Sequence, residues 1–293
     1  MRLMSVLDNG EERVGVVVGD RASPAVALMN AGPKTMRDLL AGGSELLDAL
    51  RDAVDRQTDH IRTRGAPLDA LTLLAPVPRP GKVVAIGINY HAHAAEQHVD
   101  PPDDPLIFAK FPTSVVGPEA AIRWDPGLTA EVDFEGELAC VIGRRARNVS
   151  EAAALDHVLG YTCGNDVSAR DLQFGDRQWV RGKSLDTFCP LGPWVVTRDE
   201  IPDPQALRIR TTVSGETLQD GSTSDMIFSV ARIVAHASQA FTLEAGDVIM
   251  TGTPSGVGVW RDPKRFLHDG DVVEVEIDGI GTLRNSCREG APA

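Results

Sequence analysis

Three acidic residues recur at every second position of one apolar segment, residues 131–142. They are Asp133, Glu135 and Glu137. Side chains two residues apart on a β-strand point to the same face, so one continuous strand would gather these carboxylates together. A hard divalent cation such as Mg²⁺ or Ca²⁺ relieves their mutual repulsion and prefers oxygen ligands. The spacing therefore indicates a metal site, and the alternative is a solvated, acidic edge strand.

A histidine and a glutamate form a second candidate constellation. His93 and Glu96 are three residues apart in a segment that follows an apolar run and is expected to open a helix. Residues three apart are neighbours on a helix face. A carboxylate that orients an imidazole supports it as a general base. The alternative is an incidental pair on a surface helix, which is how we interpret His91 and His98.

Three further segments carry polar groups in apolar or glycine-rich surroundings. Asp166 ends an apolar run and is a candidate third oxygen ligand. Lys183 lies among small and apolar residues, where desolvation would lower its pKa and suit it to proton transfer. The alternative is a lysine that snorkels to the surface. The glycine-rich loop Thr251–Gly258 offers amides and hydroxyls to an anion such as a substrate carboxylate, although it lacks the Lys-Ser/Thr element of a P-loop.

Composition limits the classes of protein that fit. The chain has 293 residues, of which 42% are apolar and 24% charged, as in a soluble globular enzyme. No apolar run approaches the roughly 20 residues of a membrane span, and the N-terminus lacks the apolar core of a signal peptide. The net charge of −13 argues against a nucleic-acid partner. The four cysteines form no C-x-x-C pair, so we expect buried free thiols and a cytoplasmic location.

The pattern of apolar runs predicts a strand-rich α+β chain that divides near residue 75. Residues 1–75 are expected to form a small α+β domain with a hairpin at its start. A helix is expected from Lys34 to Thr58, in which Ser44 is the candidate cap before the apolar residues at helical spacing. Residues 76–293 are predicted to be the catalytic domain, and irregular alternation disfavours a parallel βαβ sheet. Its predicted strands cover 83–88, 105–110, 132–142, 158–167, 206–213, 247–252 and 272–277. Its predicted helices cover 90–98, 150–156 and 229–241.

Seven motifs, in order, resemble those of the fumarylacetoacetate hydrolase family, and they cover most of residues 83–258. They read GINYHAHAAE, FAKFPTSVVGP, DFEGELACVIG, GNDVSARDLQ, GKSLDTFCPLGP, TSDMIF and TGTPSGVG. The resemblance extends to bacterial two-domain members of the 2-hydroxyhepta-2,4-diene-1,7-dioate isomerase and acylpyruvate hydrolase types. It implies a mixed β-roll catalytic domain, a homodimer and a bound Mg²⁺ or Mn²⁺, with Ca²⁺ as a further candidate.

The resemblance also implies roles for individual residues. The implied metal ligands are Glu135, Glu137 and Asp166, with Asp133 beside the metal site. The implied catalytic groups are the His93/Glu96 dyad and Lys183. The implied substrate-pocket residues are Arg170, Gln173 and Thr253. The chain departs from the family pattern in two places: Ala92 replaces an Asp found in many relatives, and Ile86 lies near the position of a fourth carboxylate in larger ones. We therefore expect three protein ligands.

Residues and resemblance together predict a metal-dependent enzyme that acts on a 2-oxo or 1,3-dioxo acid. The first expectation is hydrolysis of a carbon–carbon bond in a fumarylacetoacetate- or acylpyruvate-like substrate, with water activated by His93 and charge stabilised by Lys183. The alternatives are an oxaloacetate-type decarboxylase and a keto–enol isomerase of catechol degradation, both using the same metal site. A non-enzymatic β-roll stapled by a metal is a further alternative, which the catalytic set of His93, Glu96 and Lys183 disfavours.

Overall fold

The computed structural model describes residues 1–290, which form a strand-rich α+β fold. The strands are β1 (Arg2–Asp8), β2 (Glu11–Val18), β3 (Arg21–Pro24), β4 (Ala66–Pro67), β5 (Thr72–Leu74), β6 (Val83–Gly87), β7 (Leu106–Lys110), β8 (Val115–Val116), β9 (Ile122–Trp124), β10 (Val132–Asp133), β11 (Gly136–Ile142), β12 (Val158–Asn165), β13 (Ser168–Ala169), β14 (Cys189–Thr197), β15 (Arg208–Val213), β16 (Glu216–Ser222), β17 (Val248–Met250), β18 (Val272–Ile277) and β19 (Gly281–Glu289). The α-helices are α1 (Ala25–Leu28), α2 (Met36–Ala41), α3 (Gly43–Arg64), α4 (His91–Glu96), α5 (Glu151–Ala154), α6 (Arg170–Asp176), α7 (Val180–Lys183) and α8 (Val230–Ala240). The last three residues of the predicted 76–293 domain lie outside the described residues.

The strands are grouped into one large sheet, one smaller sheet and a two-stranded ribbon. The large sheet has the order β4-β3-β2-β1-β14-β12-β11-β17-β6-β7, with β5 also paired to β1 and β8 to β14. The smaller sheet has the order β16-β15-β18-β19-β9, and β10 pairs with β13. The pairing is antiparallel except between β6 and β17, β8 and β14, and β9 and β19. This mixed arrangement confirms the predicted fold class.

Most of the predicted strands and turns agree with the structure to within a few residues. The strand predicted over 272–277 is β18, and its turn at Asp278-Gly279 leads into β19. The N-terminal hairpin turns at Asn9 and Gly10, whose φ angles of 50° and 80° are those of a two-residue type I′ turn. Local turn chemistry was sufficient to locate these hairpins.

The predicted helix over 34–58 was wrong in its start and in its continuity. Thr35 caps α2 in a capping box with Asp38, and the chain then breaks before α3 begins at Gly43. Gly43 has a φ of +64°, a left-handed conformation that glycine adopts without steric cost and that interrupts a helix. Ser44 therefore lies inside α3 and is not its cap.

The predicted strand over 132–142 was also wrong, because it is broken in the middle. Asp133 lies in β10, which pairs with β13, whereas Glu137 lies in β11, which pairs with β12 and β17. Phe134 and Glu135 belong to neither strand. Strand alternation therefore does not place the three carboxylates on one face.

The large sheet is packed on both faces, which explains the uniformly apolar sequence of β11. Leu138 and Cys140 point into a core shared with α8 and the smaller sheet. Ala139 and Val141 point into the opposite core, which α3 covers. Since β1 pairs with β14, the sheet is continuous across residue 75. The domain division placed there stays a prediction.

The cysteines and helices provide two further findings. All four cysteines are free and buried, and burial raises the pKa of Cys140 and of Cys189 to about 12, which keeps both thiols protonated. No α-helix within residues 1–290 has the length and apolar content needed to cross a membrane.

Replacing Leu50 of α3 with alanine should show how much the packing of this helix contributes to the stability of the whole fold. Leu50 is fully buried in the core beneath the large sheet, so we expect Leu50→Ala to lower the free energy of unfolding by about 2–5 kcal/mol. The matched control is Leu128→Ala, because Leu128 is 46% exposed and should change stability by less than about 0.5 kcal/mol. Equal urea midpoints for the two variants would contradict this packing.

Candidate metal centre and active site

Three buried carboxylates converge where β10, β11 and β12 meet. Glu135, Glu137 and Asp166 each offer an oxygen, and these oxygens lie within 4.8 Å of one another. Glu137 lies on β11, Glu135 precedes that strand, and Asp166 follows β12. We call these three residues the carboxylate triad.

The interruption between β10 and β11 is what brings Glu135 to Asp166. The backbone N–H of Glu135 donates to the side-chain oxygen of Asn165 at 3.0 Å, and the N–H of Asp166 donates to the Glu135 carbonyl at 2.8 Å. The N–H of Gly136 donates to Gln219 Oε1 at 2.9 Å. A Cβ at Gly136 would collide with the Thr211 hydroxyl. Side-chain acceptors therefore satisfy two of the three backbone N–H groups at this break.

Asp133 lies outside the triad and has a different function from the one its spacing indicated. Its carboxylate accepts hydrogen bonds from the N–H groups of Gly258 and Val259 at 2.8 and 3.0 Å. It also accepts one from Arg170 Nε at 2.9 Å. These partners make Asp133 an anchor for the loop after β17 and for Arg170.

Two lysines and an arginine neutralise part of the buried negative charge. Lys183 Nζ donates to Glu135 at 2.8 Å and to Asp166 at 2.9 Å. Lys110 Nζ lies 2.5 Å from Asp166 Oδ1 and also donates to the carbonyl of Lys183. Arg170 Nη2 lies 2.7 Å from Glu135 Oε1. Sequence reasoning missed Lys110, although a lysine ending the apolar strand β7 was a usable signal.

The neighbouring charges shift the pKa values of Glu135 and Glu137 in opposite directions. Burial alone would raise the pKa of Glu135, but the positive charges of Lys183 and Arg170 lower it to about 2. Burial, followed by the charges of Asp166 and Glu135, holds the pKa of Glu137 well above its ordinary range. Glu137 accepts one hydrogen bond, from Gly252 N–H at 2.8 Å. No cationic side chain of residues 1–290 forms a salt bridge with it.

The expected low pKa of Lys183 was wrong. Burial alone would lower it, but the carboxylates of Asp166 and Glu135 hold the pKa of Lys183 above its ordinary value. Sequence reasoning identified the apolar surroundings but not these two partners, which come from other parts of the chain. The side chain is therefore an ammonium at neutral pH.

The donor set of the triad fits a divalent cation. Its ligands are all hard carboxylate oxygens, which suit Mg²⁺, Mn²⁺ or Ca²⁺. The ammonium of Lys183 forms salt bridges with only two of the three carboxylates, and within residues 1–290 no cationic side chain forms one with Glu137. A divalent cation would supply the missing charge, since an uncompensated buried carboxylate is costly.

The predicted histidine–glutamate pair is formed on α4. His93 Nδ1 lies 2.5 Å from Glu96 Oε1, and the other oxygen of Glu96 accepts the N–H of Gly256 at 2.8 Å. His93 Nε2 lies 2.7 Å from the amide nitrogen of Gln97. Sequence reasoning did not identify Gln97, although its position four residues after His93 places both on one helix face.

The glycine-rich loop holds carboxylates of the protein itself with three of its backbone amides. Its N–H groups donate to Glu137, Glu96 and Asp133. The hydroxyl of Thr253 donates to the Gly136 carbonyl at 2.9 Å and accepts a hydrogen bond from Gln219 at 2.7 Å. The loop therefore serves as a scaffold of the site.

Helix α4 is held at its start by a loop from a distant part of the sequence. Asp225 Oδ2 accepts the N–H of Ala92 at 3.0 Å. Asn89, just before the helix, donates to the carbonyls of Thr251 and Phe228 at 2.7 and 3.1 Å. The segment is thus anchored with Ala92 at a position where the family resemblance led us to expect Asp.

A small cavity of about 60 Å³ adjoins the triad. Its polar wall contains the predicted site residues His93, Glu135, Arg170, Gln173, Lys183 and Thr253. Ile86 also lines it, where larger relatives were expected to have a fourth carboxylate. Trp179 and the half-exposed Phe174 and Trp260 form an aromatic side of the cavity. Since Glu135 belongs to both the triad and the wall, a cation on the triad would adjoin the cavity.

The sequence matches a profile described as Fumarylacetoacetate (FAA) hydrolase C-terminal over residues 82–288. The chain belongs to the fumarylacetoacetate hydrolase family. This confirms the resemblance found in the motifs, and it makes the protein an enzyme of this family.

Individual relatives of the chain cover most of its length. It is 47% identical to the mitochondrial oxaloacetate tautomerase fahd2 of Xenopus laevis over 255 residues, which are 86% of this chain and 78% of that protein. It is 39% identical to the oxaloacetate tautomerase YisK of Bacillus subtilis over 285 residues, 93% of this chain and 95% of that one. A maleylpyruvate hydrolase from Sphingobium sp. SYK-6, solved in complex with manganese(II) ion and pyruvate, is 33% identical with a TM-score of 0.81, and the match covers 99% of this chain and 100% of that one.

Replacing one carboxylate should separate metal binding from folding. We expect Glu137→Gln to weaken Mn²⁺ binding by at least about tenfold, because ligand charge sets the affinity of oxygen sites. Metal-free stability should not fall, because the neutral amide replaces a carboxyl group whose pKa burial already raises, so that its charged form is disfavoured. Calorimetric titration and thermal unfolding measure both quantities. Glu131→Gln removes the same charge four residues from Glu135 and should bind Mn²⁺ as the wild type does. Equal Mn²⁺ affinity in the two variants would contradict the assignment.

The anchoring of α4 can be tested by backbone hydrogen exchange. A helix cap contributes roughly 1 kcal/mol, so we expect Asp225→Ala to accelerate exchange of the α4 amides about fivefold. Asp225→Asn keeps an oxygen acceptor for Ala92 and should retain the wild-type rate. The same acceleration in both variants would show that this hydrogen bond does not hold the helix.

Proposed function

We propose that this protein is a divalent-metal-dependent enzyme that interconverts the keto and enol forms of oxaloacetate. The observation that carries the proposal is that His93 and Lys183 line one small cavity beside Glu135. Tautomerisation needs a base that takes a proton from C3 and an acid that gives one to the 2-oxo oxygen. The similarity to two proteins named oxaloacetate tautomerase supports the choice of substrate.

Each catalytic side chain has one task in this reaction. The lone pair of His93 Nε2 takes the C3 proton, and Glu96 orients the ring and stabilises the imidazolium. Lys183, an ammonium between two carboxylates, gives a proton to the 2-oxo oxygen. The C3–H bond breaks and an O–H bond forms, and proton exchange with solvent returns both side chains to their starting states.

The metal and the remaining pocket residues have supporting functions in the proposal. A divalent cation held by Glu135, Glu137 and Asp166 would polarise the 2-oxo group and stabilise negative charge on its oxygen. Mg²⁺ and Mn²⁺ are the proposed ions, and Ca²⁺ is the alternative. The proposed substrate-pocket residues are Arg170, Gln173 and Thr253, all of which line the cavity.

Carbon–carbon hydrolysis of an acylpyruvate-like acid is the second candidate. The similarity of the whole chain to a maleylpyruvate hydrolase structure favours it. In that reaction His93 would take a proton from a water molecule, which then attacks the distal carbonyl. Decarboxylation of oxaloacetate would use the same site without water.

The homodimer and the division at residue 75 remain predictions.

A metal-dependent turnover screen discriminates among these reactions. Oxaloacetate, acylpyruvates, fumarylpyruvate and 2-hydroxyhepta-2,4-dienedioate would be incubated with Mg²⁺ or Mn²⁺, with EDTA controls and products identified by mass spectrometry. We expect fast keto–enol conversion of oxaloacetate that EDTA abolishes, because the metal stabilises the developing charge. Cleavage with uptake of water as the faster reaction would instead establish a hydrolase, and loss of carbon dioxide would establish a decarboxylase.

The assignment of the base has its own test. We expect His93→Ala to lower kcat for oxaloacetate tautomerisation about 100-fold or more, as loss of a general base does. Mn²⁺ affinity should remain, because His93 is outside the triad. The control is His91→Ala, an exposed histidine of the same helix, which should keep wild-type turnover. Undiminished turnover in His93→Ala with metal bound would reject His93 as the base.

A further inference from the structure

Nε2 of His93, the nitrogen proposed to act as the base, is already hydrogen-bonded to a neighbouring side chain. Gln97 Nε2 lies 2.7 Å from His93 Nε2. With the amide in this orientation its nitrogen donates, which pairs with a lone pair on His93 Nε2 and a ring proton on Nδ1, where Glu96 accepts it. The tautomer that leaves Nε2 with a lone pair is therefore the one that both neighbours select.

The position of Gln97 keeps its side chain at this nitrogen. Gln97 ends α4 four residues after His93, on the same helix face, and its backbone N–H donates to the His93 carbonyl at 3.3 Å. The side chain is partly buried and lines the same cavity as His93, Glu135 and Lys183. It is thus placed where a reactant must arrive.

We infer that Gln97 determines the reaction specificity of this site by keeping water off His93 Nε2. The inference rests on the proposed tautomerase function. A hydrolase needs a water molecule on that lone pair when the substrate is bound, whereas a tautomerase needs the C3–H of the substrate there. Before a substrate binds, the amide of Gln97 occupies the position next to His93 Nε2 that this water molecule would need. An incoming oxo acid brings its C3–H to the lone pair in place of the amide, and the Gln97 side chain, held next to His93 on the same helix face, keeps water out of the space beside Nε2.

Once His93 has taken a proton, the same side chain can stabilise the product state. The imidazolium has N–H groups on both ring nitrogens, and once the reaction product has left Nε2 the Gln97 amide returns with its carbonyl oxygen as an acceptor for Nε2–H. Gln97 therefore pairs with both protonation states of the base, until proton exchange with solvent returns His93 to its neutral form.

The test compares two reactions in the same protein preparations. Tautomerisation of oxaloacetate and hydrolysis of acetylpyruvate would be measured with saturating Mn²⁺ in the wild type, Gln97→Ala and Gln97→Met. We expect the ratio of hydrolysis to tautomerisation to rise about tenfold in Gln97→Ala, since a hydrogen bond of roughly 1.4 kcal/mol no longer competes with water. The rise should be smaller in Gln97→Met, because methionine fills similar space.

A change in the ratio separates this function from a structural one. If Gln97 only supported α4, both activities would fall together and the ratio would stay constant, and that result would overturn the inference while leaving the tautomerase intact. His91→Ala, on the exposed face of the helix, should keep the wild-type ratio. A wild type without metal-dependent tautomerase activity would reject the proposed function and this inference with it.

Discussion

Buried negative charge is the constraint on which this structure depends. Asp133, Glu137 and Asp166 are almost fully buried, in surroundings where an unpaired carboxylate is costly. The fold compensates them with Lys110, Lys183 and Arg170 and with backbone N–H groups of the loop after β17. Glu137 is the member with the least compensation. The charge balance of the site therefore favours binding of one more cation. The groups that compensate the buried carboxylates come from several strands and loops, which must fold together to form the site.

The glycine-rich loop couples the metal centre to the proton-transfer groups. Its amides contact Glu137 of the triad, Glu96 of the dyad and Asp133, which in turn holds Arg170. A shift of this loop would move all three groups together. Glycine suits it because backbone must approach carboxylates closely, and Gly252 has a φ of +98°, in the left-handed region. This coupling is one reason for the glycine content of the loop.

One site of this kind is compatible with several reactions of oxo acids. Polarisation of a 2-oxo group favours tautomerisation, decarboxylation and carbon–carbon hydrolysis alike. Tautomerisation and hydrolysis differ in the group that faces the base, which is a substrate carbon in the first and a water molecule in the second. In our inference the amide of Gln97 at His93 Nε2 makes this choice. Reaction specificity would then depend on a side chain that is neither a member of the carboxylate triad nor the base.

The sequence by itself determined the strand-rich class, the hairpins and the family, because apolar alternation, turn residues and ordered motifs are local signals. It also located His93 and Glu96, whose contact is set by helix spacing alone. Only the tertiary structure decided that Asp133 anchors a loop and that Lys183 stays charged. Both properties depend on partners that are distant in the sequence. A break in the strand brings these partners together, and a period-two sequence pattern does not reveal such a break.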